Sequence, residues 1–465
     1  MEEQSSTDRR KRSKSIAYFL LSFAIAIGLT FVLKESSFTD SQVYVLFLLF
    51  FAIGLWLTEA IPPFAVSLFI IAYLVFAMGN SHINSAPENI EKYAQTFSSN
   101  VIWLMLGGFF LASAMTKTKL DEGLFKLTLK LSGTSPKNLL IGLMLTTMLA
   151  SMLMSNTATT AMVVAAITPL LTSMGKKSGL AKALLLGIPA AATIGGIGTI
   201  IGTPANAIAV GALEHDGIAI SFLDWMKFGV PITLLLTAIT CFALIRKFIT
   251  DQTPISLAFL DKQKVELTGN IIIQRRIVVV VIAATISLWL TTSLHGLTVA
   301  SVCAVPLVCL TLAGVLQAKD MQSLPWDTLL LVAGGLSLGV ALEQTGLLNH
   351  YAQKLIQLEI NSILLIFVFA FLTMFVSNIM SNTAASTVMI PLGMAILTGF
   401  KTEVALIVAF SASTAMFLPV STPPNAIAYS TGLLEQKDFR LGGILVGLLG
   451  PALAILWVLL ISRLS

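Results

Sequence analysis

Ser155-Asn156-Thr157 and Ser381-Asn382-Thr383 set three short polar side chains in a row inside apolar stretches, MSNTATT and MSNTAAS. Hydroxyl and amide groups of this size cap helices. A helix that starts just after such a triplet presents free N–H groups and about half a positive charge, and so binds anions, carboxylates included. A helix that ends just before it presents free carbonyls, which suit a hard cation such as sodium. One tip of this kind can hold an anion and a cation side by side. A single triplet is explained equally well by hydrogen bonds between packed helices. Two triplets in corresponding settings, each accompanied by a second interruption, favour a binding site.

That second interruption is Thr203-Pro204-Ala205-Asn206 in one half and Thr422-Pro423-Pro424-Asn425 in the other. Proline removes a backbone donor and disfavours helix in the residue before it, so both segments break otherwise long apolar helices. Gly195, Gly196, Gly198 and Gly202 precede the first break and permit unwinding; the second half reads SASTAMFLPVSTPPN, with no glycine run. The two sites are therefore expected to be unequal. No lysine or arginine lies near either triplet. A divalent anion buried there would face a cost of order 20 kcal/mol per charge before relaxation. Helix starts offset only part of it. Co-bound cations are the simplest remaining source of positive charge, which argues for symport over uniport.

The elements that must position these residues follow from composition. The chain of 465 residues is 56% hydrophobic and 11% charged, with mean hydropathy +0.89; a soluble domain is about 25% charged. Apolar stretches near ~20 residues recur throughout, each long enough to cross a bilayer. The fold expected is an all-α polytopic membrane protein, since no ~10-residue alternation points to a barrel. The basic start MEEQSSTDRRKRSKS precedes an apolar run, Ile16 to Leu33, that reads as an uncleaved first span with a cytoplasmic N-terminus. Eleven spans follow from the polar breaks: 16–34, 43–59, 62–79, 99–117, 181–213, 222–246, 275–294, 297–317, 327–348, 402–433 and 441–462. The segments 137–174 and 362–399 are too long for one span and slightly short for two. Each is expected to be a re-entrant helical hairpin with its triplet at the tip, tolerable only where protein or a watery cavity surrounds it. With the N-terminus inside, 22 of the 28 basic residues fall on cytoplasmic segments, the bias of positive-inside sorting. The net charge of +5 then needs no nucleic acid partner.

The halves repeat. Leu106-Gly107-Gly108 aligns with Ala333-Gly334-Gly335, the two triplets align with each other, and GTPANAIAVGALE answers STPPNAIAYSTGLLE, all in the same order. An odd number of spans between the hairpins makes the repeat inverted. Inverted repeats with interrupted helices at matching positions indicate a secondary transporter, with its site at the repeat interface. Cys241, Cys303 and Cys309 lie in apolar segments and read as core packing. His82, His215, His295 and His350 fall in or beside polar loops, with no metal cluster or catalytic dyad expected. Glu59, between spans two and three, reads as a solvated turn carboxylate. An intramembrane hydrolase using Ser155 or Ser381 would need a positioned base, and no histidine or lysine is placed to serve. A channel is disfavoured by duplicated closed tips. The chain is expected not to be an enzyme.

The paired Ser-Asn-Thr triplets, the paired Thr-Pro-x-Asn segments, the WLTEAIP turn and the Gly-Gly helices resemble, in order, the divalent anion/sodium symporter family. That family transports dicarboxylates, citrate and sulfate, and the resemblance covers nearly the whole chain after residue 40. It implies a homodimer in the inner (plasma) membrane, in which a transport region slides against a scaffold as an elevator. The cytoplasmic tail would be 1–15, the scaffold 16–136 and 275–361, the transport region 137–247 and 362–465, and the connector 248–274. It implies one sodium at Ser151, Ser155, Asn156 and Gly202, and another at Ser377, Asn382 and Ser421. Substrate carboxylates would meet Asn156, Thr157, Thr203, Asn382, Thr383, Thr422 and Pro423. Ala205 stands where the family often has a second proline; hydroxyls at Ser151 and Ser377 favour sodium coupling over sodium-independent exchange. The expected function is sodium-driven symport of a C4 dicarboxylate, with a dicarboxylate or citrate exchanger or a sulfate carrier as alternatives.

Overall fold

The computed structural model describes residues 2–80, 84, 89–250, 253–255, 269–357 and 360–464. His82 and most of the expected 248–274 connector lie outside the described residues. Among the described residues the chain is helical with no strand. In the first half the main helices are α1 (Glu2–Leu33), α2 (Asp40–Thr58), α3 (Pro63–Gly79), α4 (Asn100–Lys117), α5 (Leu120–Ser132), α6 (Pro136–Ser151), α7 (Asn156–Met174), α8 (Gly179–Gly195), α9 (Pro204–His215) and α10 (Phe222–Phe248). The second half continues with α11 (Gly269–Leu290), α12 (Ala304–Leu312), α13 (Trp326–Gln344), α14 (Leu347–Ile356), α15 (Ser362–Ser377), α16 (Asn382–Ile396), α17 (Lys401–Ala412), α18 (Pro423–Ser430) and α19 (Phe439–Ser462).

Among the described residues nine helices are long and apolar enough to cross a bilayer, or up to ten if the bent pair spanning 382–412 counts as one. Of the eleven expected spans α3 is shorter than that, with 17 residues, while α7, an arm of the first expected hairpin, is among the nine. The expected span 297–317 is a four-residue helix, Val299–Val302, joined to α12 at Cys303. The expected spans 181–213 and 402–433 are each two helices around an unwound stretch, as their prolines require. The hairpin arms α6, α7, α15 and α16 have 16, 19, 16 and 15 residues. At 1.5 Å per residue they measure about 22 to 28 Å, just below the ~30 Å hydrocarbon thickness.

Burial separates the helices that carry the motifs from those at the rim. The span that ends in the first break, 179–198, is 94% buried, against 17% for α1 and for α11. In α17 every residue from Val404 to Ala412 is buried. A helix that is apolar all round and enclosed by protein belongs to the centre of a bundle, so the two breaks sit at the core of the molecule. The Gly-Gly pairs explain the close approach there. A Cβ on Gly335 would lie 2.6 Å from Thr387 Cγ2 of α16, and one on Gly108 would lie 3.3 Å from Ile201 in the first unwound stretch. Cys241 and Cys303 are buried as expected; Cys309 is exposed, so packing does not account for it. Glu59 is exposed, in the left-handed conformation that ends α2.

Candidate substrate and cation site

Each hairpin tip is built by the same two local bonds. Ser155 caps α7 by accepting from Ala158 N at 3.2 Å, and Ser381 caps α16 by accepting from Ala384 N at 3.2 Å. Beneath each cap, a serine at the end of the first arm reaches the asparagine that opens the second. Ser151 Oγ donates to Asn156 Oδ1 at 2.7 Å and Ser377 Oγ donates to Asn382 Oδ1 at 2.7 Å. Both serines are fully buried. Ser377 Oγ also lies 2.9 Å from Ala412 O, the last residue of α17. The tips therefore carry oriented oxygen atoms next to a helix start.

The unwound stretches are held open by an asparagine that the motif places one turn later. Asn206 Nδ2 donates to Gly196 O at 2.9 Å and Thr199 O at 2.8 Å; Asn425 Nδ2 donates to Met416 O and Leu418 O, both at 3.1 Å. Thr203 and Thr422 have nearly the same extended backbone, φ −150° and −140° with ψ 146° and 147°. Ala205 in place of a second proline thus leaves the entry into the helix unchanged. Thr422 caps α18 by accepting from Asn425 N at 3.3 Å. Each half's second arm packs on the other half's helix after the break, α7 on α18 and α16 on α9. The four interruptions are interlocked across the repeat.

The first expected cation set is mostly brought together. A Cβ on Gly196 would meet Asn156 Oδ1 at 2.6 Å and Gly202 O at 3.0 Å, so Asn156, Gly196 and Gly202 are in contact, with Ser151 bonded to Asn156. Ser155 is exposed and its hydroxyl serves the cap. In the second set Ser377 is bonded to Asn382, whereas Ser421 Oγ is bonded to Asn378 Oδ1 at 2.9 Å. Of the expected substrate contacts, Thr203, Thr383 and Thr422 are buried, Asn156 and Asn382 are half-buried, and Thr157 and Pro423 are exposed. None of the site contacts named above uses an ionised side chain, and hard oxygen donors of this kind fit an alkali cation.

Sequence reasoning quoted Asn206 and Asn425 within the Thr-Pro-x-Asn segments without giving them a role, and passed over Asn378 and Thr199, whose hydroxyl donates to Met152 O. The Asn-Ala-Ile common to both halves was a visible signal for the first two. It also did not foresee that His215, Asp216 and Glu343 lie close enough together to share an ion. There His215 Nδ1 is 3.0 Å from Glu343 Oε2 of α13, and Lys401 Nζ is 2.6 Å from Asp216 Oδ2. These groups line a cavity of about 580 Å³ between α9, α13 and the start of α17. Glu343 holds His215 above the ordinary histidine pKa, against the opposing effect of burial.

The sequence from residue 13 to residue 463 matches the family model described as "Sodium:sulfate symporter transmembrane region". It is 29% identical to a sodium-dependent dicarboxylate transporter, SdcS, of Staphylococcus saprophyticus, over 97% of this chain and 92% of that one. It is 30% identical to SdcS of Staphylococcus aureus, over 90% of this chain and 85% of that one. Among solved structures, the YdaH transporter of Alcanivorax borkumensis shares the fold at TM-score 0.58 and 13% identity, covering 85% of this chain and 98% of that one. MtrF of Neisseria gonorrhoeae does so at TM-score 0.55 and 13% identity, covering 86% and 95%. These proteins are transporters rather than enzymes. With its duplicated tips and a family match that spans nearly its whole length, the chain belongs to the sodium:sulfate symporter family of membrane transporters.

Proposed function

We propose that this protein is a sodium-coupled symporter of C4 dicarboxylates such as succinate, malate and fumarate. The observation that carries the reading is the twofold contact of Ser151 with Asn156 and of Ser377 with Asn382, each beside a helix start. Two such tips suit a short diacid, one carboxylate at each, with Thr157, Thr203, Thr383, Thr422 and Pro423 completing the contacts. Two helix starts offer about one positive charge between them, so sodium ions supply the balance. One would sit at Ser151, Ser155, Asn156 and Gly202, the other at Ser377, Asn382 and Ser421. The relatives named sodium-dependent dicarboxylate transporters support both the ion and the substrate class.

In this reading the transport region, 137–247 with 362–465, moves as one body against the scaffold, 16–136 with 275–361, in an elevator mechanism. The 248–274 segment connects them, the N-terminus is cytoplasmic, and the protein is a homodimer in the plasma membrane. Two ion pairs support a single moving body. Lys182 bonds Asp438 at 3.0 Å and Lys401 bonds Asp216 at 2.6 Å, each joining one transport segment to the other.

The test is uptake of labelled succinate into proteoliposomes under a gradient of sodium, lithium or potassium, or none. Uptake driven by sodium supports symport. Uptake that ignores sodium but requires internal diacid makes the protein an exchanger of dicarboxylate or citrate. The family model's description favours one second reading, a sulfate carrier; competition by unlabelled sulfate stronger than by unlabelled malate would establish it.

A further inference from the structure

We propose that Asn378 is a positioning residue for the second cation, fixing which face of the Ser421 hydroxyl is free to bind it. The inference rests on the sodium-symport reading. Asn378 lies in the second tip and reaches into the unwound stretch that follows α17. Its Oδ1 accepts from Phe417 N at 2.9 Å and from Ser421 Oγ at 2.9 Å, while its Nδ2 donates to Met374 O at 2.9 Å. A backbone N–H on one side and a backbone carbonyl on the other fix the orientation of the amide. Ser421 Oγ in turn accepts from Leu418 N at 3.0 Å.

A hydroxyl has one proton and two acceptor lone pairs. At Ser421 the proton is turned to Asn378 and one lone pair takes the Leu418 N–H, which leaves one lone pair for a cation. Without the Asn378 side-chain acceptor the proton keeps only a long contact to the Asn378 backbone oxygen, at 3.4 Å, and turns more readily toward the cation, where it repels. The first half makes the corresponding join differently. Met152 stands at the position of Asn378 and Gly202 at that of Ser421, and the link is the Thr199 hydroxyl donating to the Met152 carbonyl. The side chain at 378 is thus needed where the side chain at 152 is not.

The experiment is a sodium titration of succinate uptake in proteoliposomes, paired with sodium-dependent thermal stabilisation in detergent without substrate. Loss of a hydrogen bond that serves a charged group corresponds to about a tenfold change in affinity. Asn378→Ala is expected to raise the sodium concentration for half-maximal response about tenfold in both assays, with the rate at saturating sodium largely kept. Asn378→Asp keeps the acceptor and is expected to return the value to within about threefold. Met152→Leu is expected to leave it unchanged. Asn378→Ser, too short to bridge, gives the same reading if the alanine variant does not fold. A sodium-responsive wild type with an unaltered half-saturation in Asn378→Ala or Asn378→Ser overturns the role of Asn378 alone. A wild type that shows no sodium response overturns the symport reading and this inference with it.

Discussion

At the first hairpin tip Ser155, Thr157 and Ala158 are exposed, and Asn156 lies against the bare backbone of Gly196, which Gly202 also approaches. At the second, Met380, Ala384 and Ala385 are buried in a core shared with α2, α3, α13 and α14. Around that tip the counterparts of Gly196 and Gly202 are Ala415 and Ser421. Yet the bonds inside the two tips match in partner and length: the serine cap at 3.2 Å and the serine-to-asparagine bond at 2.7 Å. Such bonds are local, satisfied by residues within a few positions of one another, so a duplicated sequence keeps them wherever it is placed. Packing depends on what lies across the interface, and there the halves have diverged. Where the second cation would have the Ser421 hydroxyl, the first is thus expected to have only the backbone of Gly202.

Removing the shared part gives the largest effect. Asn156→Ala and Asn382→Ala are each expected to cut succinate uptake by about 100-fold or more, since each takes away a group that serves both ions. Melting in detergent should be little changed. A variant at one tip that transports at the wild-type rate would place the diacid on the other tip alone and break the equivalence. The divergent part gives the next effect. In Gly196→Ala the new Cβ would press on Asn156 Oδ1 and Gly202 O, and the sodium half-saturation is expected to rise about tenfold. Ala415→Gly, at the matching place in the second half, is expected to shift it less than about twofold. Equal shifts would show that the glycine cradle has no special part in the first site.

How much of this was legible beforehand depends on how far apart the interacting residues lie. The hairpin arms, their caps and both breaks follow from triplets and prolines that act within one or two turns. Ser151 and Ser377 join their asparagines five residues away, which a sequence can show. Asn378 does not stand out in that way, because its partners Phe417 and Ser421 come from another helix break. The His215, Asp216 and Glu343 cluster escaped for the same reason: α9 and α13 meet only in three dimensions. Hydropathy and length alone do not separate α7, an arm of the first hairpin, from a helix that crosses.

The two ion pairs carry the comparison to the faces of the proposed transport region. Lys182 opens α8 and reaches Asp438 beyond α18; Lys401 opens α17 and reaches Asp216 beyond α9, the same join made in the opposite direction. In each pair the aspartate is the more enclosed partner. Lys182→Met and Lys401→Met are therefore each expected to cost about 1–2 kcal/mol, less than a fully buried pair because the lysines are partly solvated. Chemical denaturation in detergent with the double variants Lys182→Met/Asp438→Asn and Lys401→Met/Asp216→Asn measures it. Similar coupling energies would support a transport region clamped evenly on both sides; coupling in one pair only would mark the other as incidental.

Among the described residues only the second of these pairs is extended to α13, in the proposed scaffold, through His215 and Glu343 at 3.0 Å. In the elevator reading that contact must break in each cycle, because α9 moves and α13 does not. His215 faces Glu343 and Asp216, with Lys401 on the far side of Asp216 and Glu214 beside it on α9. Its pKa is raised, chiefly by the bond to Glu343. The contact is therefore fully present below the ordinary histidine pKa of about 6.5 and fades as pH rises through the raised value. Uptake of fumarate, ionised throughout this window, is expected to rise about two- to threefold as pH goes from about 6.5 to 8.5. In His215→Gln that slope should flatten, while the sodium half-saturation stays the same, since the site lies at the tips. An identical slope in both proteins would remove His215 from the moving interface and leave the first tip's exposure as the main difference between the halves.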